Sequence, residues 1–418
     1  MAEVRARVAS TRLARRATRL LGYWRSESRT LRQGSVALVL STAAGFVAGL
    51  TLASFDDALR RMPGLLVLIP ASVGMRGMIF GSMGARLGTQ VAAGLFEPNL
   101  RRGGPLRTNV EVAIVSALVM SFYLAVAAKL AASAFGEVTV SFWDLVTVSV
   151  LGGTAASAIL LVLTVTLARL SFRRGWDLDA VSTPMVTAAG DMVTLPLLFL
   201  AAWITRVDAA NTVAAAICAI ASATALVYAL TRASSPARRI LAETGAVIAL
   251  APLLDIFAGA LLEAHREELE AVPGILILIP PFVSQAGALG GILSSRLSSK
   301  LQIGVIGPRG MPEAPALIDG SIVAALALAV FTLIGTVATL LASLTGQAHP
   351  GGATMIGGTV LAGALLLPLI LLAAYYVAVA TLRLRLDPDN HGVPILTALL
   401  DVSGVSAILF VMAISGVI

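Results

Sequence analysis

Long runs of apolar residues, separated by short polar or charged stretches, divide the chain from about residue 36 to its end. Most runs are close to the ~20 residues that a helix needs to cross the hydrocarbon core, and short segments with a period of two are absent. The pattern predicts an all-α polytopic membrane protein with eleven transmembrane helices. We place them at about residues 36–55, 64–80, 108–133, 142–170, 181–204, 211–231, 240–262, 273–290, 316–343, 353–382 and 393–416.

The same pattern occurs twice. Asp191 and Asp401 lie within apolar sequence, 210 residues apart (401 − 191), and each follows a proline by seven residues and a Thr-Ala pair by four. The same ungapped offset pairs Pro63-Gly64 with Pro273-Gly274, Pro70 with Pro280, Gly77 with Gly287, Gly81 with Gly291 and Arg86-Leu87 with Arg296-Leu297. Self-similarity of this kind indicates a tandem duplication.

The duplication divides the chain into four parts. Two five-helix repeats are expected at residues 34–205 and 240–418, with a linking transmembrane helix within residues 206–239. Residues 1–33 are rich in arginine at helical spacing, which predicts a basic amphipathic helix on the cytoplasmic leaflet or a basic tail that only fixes the topology.

Loop charges predict the orientation of the chain. Loops expected on one side hold arginines such as Arg101, Arg173 and Arg238, whereas the loop at 263–270 on the other side is rich in acids. By the positive-inside rule, the N-terminus is cytoplasmic and the C-terminus extracytoplasmic, in the cell membrane. After five crossings the chain is on the opposite side of the membrane, and the linking helix returns it to the first side. The repeats are therefore predicted to be parallel and related by a pseudo-two-fold along the membrane normal.

Composition agrees with the membrane assignment. The chain has 418 residues, of which 57% are hydrophobic and 13% charged, and its mean hydropathy is +0.90. The net charge of +7 comes from short loops, which indicates membrane orientation rather than a nucleic-acid partner. A single cysteine and three scattered histidines provide no metal-ligand spacing, so we expect neither a zinc site nor an organic cofactor.

The two repeated aspartates are the main candidates for chemistry. A charge at the bilayer centre costs at least ~2.5 to 3.5 kcal/mol on insertion scales, and such residues usually face a cavity and a partner. On a helix, Thr187 and Thr194 share the face of Asp191, and Thr397 shares that of Asp401. Carboxylates with hydroxyl oxygens suit a hard divalent cation, above all Mg²⁺ with much of its water retained. The alternative is that each aspartate only bonds a neighbouring helix.

Each repeat also contains a glycine-rich segment, at residues 70–86 and 280–296. A hydrophobic helix that runs through proline into glycines is a candidate for a broken helix that lines a pore. Ser72, Ser284 and Gln285 are then candidates for pore lining. The Gly-x-x-x-Gly spacing in both segments equally permits close helix packing without any role in transport.

Further acids flank this arrangement. Asp177 and Asp387 precede the two aspartate-bearing helices at their predicted cytoplasmic ends, where they would attract cations into a vestibule or stabilise the helix N-termini. Asp255 lies in mid-helix and has Gly45 as its counterpart. It is a candidate for an additional ion or proton site.

The motifs of both copies resemble a known family. The proline-containing, glycine-rich second helix that ends in Arg-Leu, followed by an acid, a proline, a threonine and a membrane aspartate in the fifth helix, resembles the MgtE magnesium channel family. The duplication is similar to that of its tandem relatives, the solute carrier family 41 magnesium transporters. The resemblance covers residues 34–416.

The resemblance implies a function and a site. It implies that Mg²⁺ is the transported ion and that the fifth-helix aspartates, here Asp191 and Asp401, bind it in hydrated form in a central pore. The family's acid at the start of that helix matches Asp177 and Asp387. An asparagine that is often present in the glycine-rich segment is replaced by Met78 and Ala288, and this departure bears on ion selectivity.

Two other functions remain open at this point. The aspartates would bind a coupling ion, Na⁺ or H⁺, in a secondary transporter of another solute. They would act as an acid/base pair in an intramembrane aspartyl protease, although only the sequence before Asp191 approximates the motif of such enzymes. Because both halves of the expected pore lie in one chain, a monomer suffices in principle, and an oligomer is not excluded.

Overall fold

The structure is a computed structural model that describes residues 28–101, 103–136, 139–174 and 178–417. Its regular elements are helices. In chain order they are α1 (Ser28–Ser54), α2 (Asp56–Arg61), α3 (Leu65–Ala92), α4 (Pro105–Phe135), α5 (Phe142–Val146), the π-helix π1 (Thr147–Gly152), α6 (Gly153–Arg174), α7 (Leu178–Ile204), α8 (Asp208–Thr231), α9 (Ser235–Ala264), α10 (Arg266–Ala271), α11 (Gly274–Gln302), α12 (Ala314–Thr345), α13 (Gly352–Leu384), the π-helix π2 (Pro388–Gly392) and α14 (Val393–Ile414).

The predicted fold class is confirmed. Within the described residues, ten helical segments are long and apolar enough to cross a membrane, and α1 adds a shorter apolar helix at Leu38–Ser54. Each falls at one of the eleven predicted positions. The protein is therefore an all-α polytopic membrane protein.

The prediction of a broken helix in the glycine-rich segments is wrong. α3 and α11 continue through Pro70 and through Pro280 and Pro281, and they end about twelve residues later than the apolar pattern indicates. A proline removes one helical N–H group, but packed neighbouring helices allow the backbone to continue at membrane depth. Here α1 packs so closely on α11 that a Cβ atom at Gly45 would lie 2.6 Å from the Cα of Pro281.

Two glycine contacts join the first and second parts of the chain. α1 packs against α11, and α9 packs against α3. A Cβ atom at Gly49 would overlap the carbonyl oxygen of Ile277, and one at Gly259 would lie 2.5 Å from the carbonyl oxygen of Val67. Glycine permits this approach of two backbones because it has no side chain. The two glycines are 210 residues apart, and so are Val67 and Ile277.

Helix bounds recur at the same offset. α2 and α10, for example, occupy residues 56–61 and 266–271. The repeat boundaries, the pseudo-two-fold along the membrane normal and the role of the linking segment stay predictions. Residues 1–27 of the expected amphipathic segment lie outside the described residues, and α1 begins at Ser28.

The packing of α7 and α14 positions their aspartates. α7 lies against α1, α3 and α6, and α14 lies against α9, α11 and α13. α8 packs mainly on α4 and presents most of its apolar side chains outward. The four helices α1, α3, α9 and α11 therefore form the centre of the molecule, with α7 and α14 packed on them.

A fully buried arginine distinguishes the first half of the molecule from the second. Arg76 of α3 donates from Nε to the Gly153 carbonyl at 3.2 Å and from Nη2 to the Ser121 hydroxyl at 3.5 Å. A Cβ atom at residue 153 would overlap the guanidinium in its present position, so glycine there makes room for it. At the positions 210 residues later, the ring of Phe331 fills the corresponding space against Gly363.

We expect Glu263→Ala to destabilise the contact between α9 and α3. The buried Glu263 carboxylate accepts hydrogen bonds from the backbone N–H groups of Gly64 at 2.8 Å and Leu66 at 3.2 Å. The variant leaves both donors without this acceptor, at a cost of about 1–3 kcal/mol. Thermal melting of the detergent-solubilised protein measures the loss. Glu267→Ala, an exposed acid in α10, is the control, and equal melting temperatures for the two variants would contradict the role.

Candidate cation site

Asp191 of α7 and Asp401 of α14 are both buried at the centre of the molecule, with 7% and 9% of their surface exposed. Both side chains lie beside one turn of α11: Ser284 bonds Asp191, and a Cβ atom at Gly287 would lie 3.7 Å from Asp401 Oδ1. Each aspartate belongs to a helix packed on the central group α1, α3, α9 and α11. The two residues that the sequence singled out are therefore brought into one buried region.

Two hydroxyl groups adjoin Asp191. Ser284 of α11 donates a hydrogen bond from Oγ to Asp191 Oδ2 at 3.1 Å. The Oγ of Ser284 is also 3.1 Å from the Oγ of Ser41 in α1. Ser284 thus bonds Asp191 directly, and Ser41 is joined to it through Ser284 at the α1–α11 crossing.

A second carboxylate adjoins Asp401. The side chain of Asp255 in α9 contacts that of Asp401, and the two charges interact. Asp255 is 1% exposed, and its oxygens have no hydrogen-bond partner other than Asp401 within the described part of the chain. A Cβ atom at Gly74 of α3 would lie 2.5 Å from Asp255 Oδ2, so glycine at this position makes room for the carboxylate.

The surroundings of the two aspartates differ at matching positions. Ser284, which bonds Asp191, corresponds to Gly74 at the offset of 210, and Ser41 corresponds to Ala251. Asp255 corresponds to Gly45. One aspartate therefore has hydroxyl neighbours, and the other has a second carboxylate.

The three threonines lie one turn from the aspartates on α7 and α14. Thr194 is fully buried, and its hydroxyl has no hydrogen-bond partner within the described part of the structure. Thr187 is partly buried. Thr397 donates its hydroxyl hydrogen to the Val393 carbonyl of its own helix at 2.9 Å. Their role in lining an ion path stays a prediction.

The polar residues of the glycine-rich segments have different surroundings. Ser284 contacts Asp191, whereas Gln285 donates from Nε2 to the Leu38 carbonyl of α1 at 3.1 Å. Ser72 is fully buried, and its carbonyl accepts a hydrogen bond from Arg76. Gln285 is thus directed to a neighbouring helix, whereas the Ser72 hydroxyl has no hydrogen-bond partner in the described residues. Pore lining by either residue stays a prediction.

The expected cytoplasmic acids are separate from the buried aspartates. Asp177 lies outside the described residues. Asp387 is exposed just before π2 and precedes Asp401 by fourteen residues (401 − 387), or about 20 Å along a helix. A vestibule role for these acids stays a prediction.

The arrangement supplies oxygen ligands in pairs. Among the described residues, no group of three or more His, Cys, Asp or Glu side chains is placed to hold a metal ion. One or two carboxylates that leave room for water suit Mg²⁺, which keeps several waters in protein sites.

The sequence did not predict the role of Ser41. Its only signal was a hydroxyl group within an apolar run, at a position with no polar counterpart in the other copy.

Carboxylates buried among the central helices of a polytopic protein are typical of ion transporters. The model of the MgtE family, described as "Divalent cation transporter", matches residues 69–201 and again residues 279–411. The chain belongs to the MgtE family. It is a multi-pass membrane transporter of divalent cations and not an enzyme, and the predicted family resemblance is confirmed. The two matches begin 210 residues apart (279 − 69).

Curated relatives extend over most of the chain. Solute carrier family 41 member 3 of Rattus norvegicus is 24% identical over 399 residues, which cover 90% of this chain and 85% of the relative. The Mus musculus member 3 is 26% identical, with coverage of 86% and 77%. Member 2 of Mus musculus is 26% identical over 66% of this chain and 48% of the relative. No solved structure shows a significant match.

We expect a soft metal ion to bridge cysteines placed at the two aspartates. In a Cys218→Ala background, which removes the single native cysteine, the pair Asp191→Cys and Asp401→Cys should bind Cd²⁺ through both thiolates. Protection of both thiols from maleimide by Cd²⁺ measures the bridge. The pair Asp191→Cys and Asp387→Cys should show no such protection, because residue 387 precedes residue 401 by fourteen residues, or about 20 Å of helix. Equal behaviour of the two pairs would contradict the proximity.

Proposed function

We propose that the protein transports Mg²⁺ across the cell membrane and that the ion is held between Asp191 and Asp401. The observation that carries the proposal is that two buried carboxylates on the fifth helices of the two expected repeats lie beside one turn of α11, Asp191 at Ser284 and Asp401 at Gly287. The N-terminus is placed in the cytoplasm and the C-terminus outside, as the loop charges indicate.

Charge balance favours a divalent ion. Two carboxylates in one buried region repel each other, and burial weakens the screening of this repulsion by water. A single cation of charge +2 between Asp191 and Asp401 replaces this repulsion with two attractions. The empty site is therefore electrostatically unfavourable, and a divalent ion offsets the burial of both carboxylates.

The donor set favours hard divalent cations, of which magnesium is one. Near the aspartates the described polar groups are carboxylates and hydroxyls, contributed by residues such as Asp191, Ser284 and Ser41. Such hard oxygen donors suit Mg²⁺, Ca²⁺ and Mn²⁺, whereas thiolates and imidazoles suit zinc and copper. The single cysteine, Cys218, lies in the peripheral helix α8. Retained waters then complete the octahedral shell that Mg²⁺ demands.

The remaining predicted residues take supporting roles in this proposal. Thr187, Thr194 and Thr397 line the path on the faces of α7 and α14 that bear the aspartates. Asp177 and Asp387 raise the local cation concentration at the cytoplasmic entrance. Because both aspartates lie in one chain, one protomer contains a complete site.

We expect Mg²⁺ flux to collapse when either aspartate loses its charge. Purified protein in vesicles, loaded with a Mg²⁺-sensitive dye, should lose most of its uptake in Asp191→Asn and in Asp401→Asn, because each variant removes one of the two charges that compensate the ion. Asp208→Asn, an exposed acid at the start of α8, should transport like the unmodified protein.

Unchanged flux in the double variant would contradict the site. Repeating the assay with and without Na⁺ and proton gradients determines whether transport is coupled. A transporter of another solute would instead be stabilised thermally by that solute and not by millimolar Mg²⁺.

A further inference from the structure

We propose that Asp255 is a third cation ligand, which together with Asp401 forms a two-carboxylate half-site that binds a divalent cation more tightly than the hydroxyl-lined half-site at Asp191. The inference rests on the proposed function. It concerns which side of the same buried region holds the ion and which residue makes the two sides unequal.

The first observation is a buried carboxylate whose only partner is another carboxyl group. Asp255 is 1% exposed, and apart from the Asp401 carboxyl group its oxygens have no hydrogen-bond partner in the described residues. Buried charges in proteins are normally paired or bound to metal, since an isolated one is costly. The most direct partner for such a group is a cation that binds there.

The second observation is the direction of this side chain. Asp255 contacts Asp401, and its Oδ2 occupies space that a Cβ atom at residue 74 would take. On the other side of the region, residue 284 bears a hydroxyl that bonds Asp191. Gly74, which corresponds to Ser284, has no hydroxyl group. The Asp255 carboxylate occupies the space beside it instead.

The buried guanidinium of α3 does not neutralise this pair. Arg76 is two residues from Gly74 in α3, but its guanidinium is bonded to Gly153 of α6 and Ser121 of α4. Tyr123 of α4 directs its hydroxyl to the Ala249 carbonyl of α9, at 2.9 Å. The groups of α3, α4 and α14 around this stretch of α9 thus provide Asp255 with a like charge from Asp401 and with no salt bridge in the described structure.

Two carboxylates and retained water define the chemistry of the ligand. Mg²⁺ and similar hard divalent cations bind through one or two carboxylates and keep several waters. At Asp191, by contrast, the Ser284 hydroxyl already occupies one carboxylate oxygen. We therefore assign the tighter binding to Asp255 and Asp401, and the weaker binding to Asp191.

Binding of Mn²⁺ tests the proposal with the purified full chain. Electron paramagnetic resonance titration should show that Asp255→Asn and Asp401→Asn each raise the dissociation constant of Mn²⁺ by about tenfold or more, equivalent to at least ~1.4 kcal/mol. Asp191→Asn should raise it by a clearly smaller factor. Gly74→Ala should also weaken binding, because the added methyl group displaces the Asp255 carboxylate without removing it. Asp208→Asn should bind Mn²⁺ as the unmodified protein does.

Thermal melting separates a ligand from a structural residue. Without divalent ions, Asp255→Asn should melt at the same temperature as the unmodified protein or higher, because an uncompensated charge is removed. Addition of Mn²⁺ should raise the melting temperature of the unmodified protein, since a ligand that binds the folded state stabilises it. This rise should be much smaller in Asp255→Asn. A lower ion-free melting temperature combined with a full Mn²⁺ response would assign Asp255 to structure and overturn the proposal.

The outcomes distinguish the two proposals. If the unmodified protein neither binds Mn²⁺ nor transports Mg²⁺, the proposed function fails. If it does both and loses them in Asp401→Asn, while Asp255→Asn and Gly74→Ala bind Mn²⁺ with unchanged affinity, the proposed function stands and the role of Asp255 is refuted. A larger effect of Asp191→Asn than of Asp255→Asn would reverse the assigned order of the half-sites.

Discussion

The burial of carboxylates away from water is the constraint on which the rest of this structure depends. Asp191, Asp255 and Asp401 are enclosed by helices, and each requires a hydroxyl, a backbone donor or a cation to offset the loss of hydration. The fold satisfies this requirement unequally. Asp191 receives a hydrogen bond from Ser284, whereas Asp255 has only the Asp401 carboxyl group as a partner among the described residues. In the proposed site, a bound cation compensates this deficit.

Close backbone packing makes the buried region possible. α1 crosses α11 at Gly49, and α9 crosses α3 at Gly259. No side chain lies between the two backbones at either crossing. The crossing of α1 and α11 allows Ser41 and Ser284 to approach each other. The crossing of α9 and α3 brings Asp255 against Gly74. The same glycine contact thus serves two different chemical arrangements.

Differences between matching positions extend beyond the cation site. In the first half, Arg86 bonds the buried Asn109 at 2.8 Å, whereas in the second half Arg296 and Lys300 both form salt bridges with the buried Asp319. The Arg76 guanidinium occupies space that an aromatic ring fills in the other half. Helix packing is thus maintained at both places while the polar groups differ. Within a duplicated scaffold, this allows one side to specialise for binding without a change of fold.

The sequence by itself determined the helices and the main aspartates, because a bilayer imposes a length and an apolar composition that are read locally. It also determined the family, through motifs spaced within single helices. The local sequence could not show whether the helices break at Pro70 and Pro280, since their continuity depends on the helices packed around them. Only the tertiary structure decided that Ser41 joins Ser284 and that Asp255 meets Asp401. These partners are 243 and 146 residues apart (284 − 41 and 401 − 255), and periodicity along the chain contains no information about which helix faces cross.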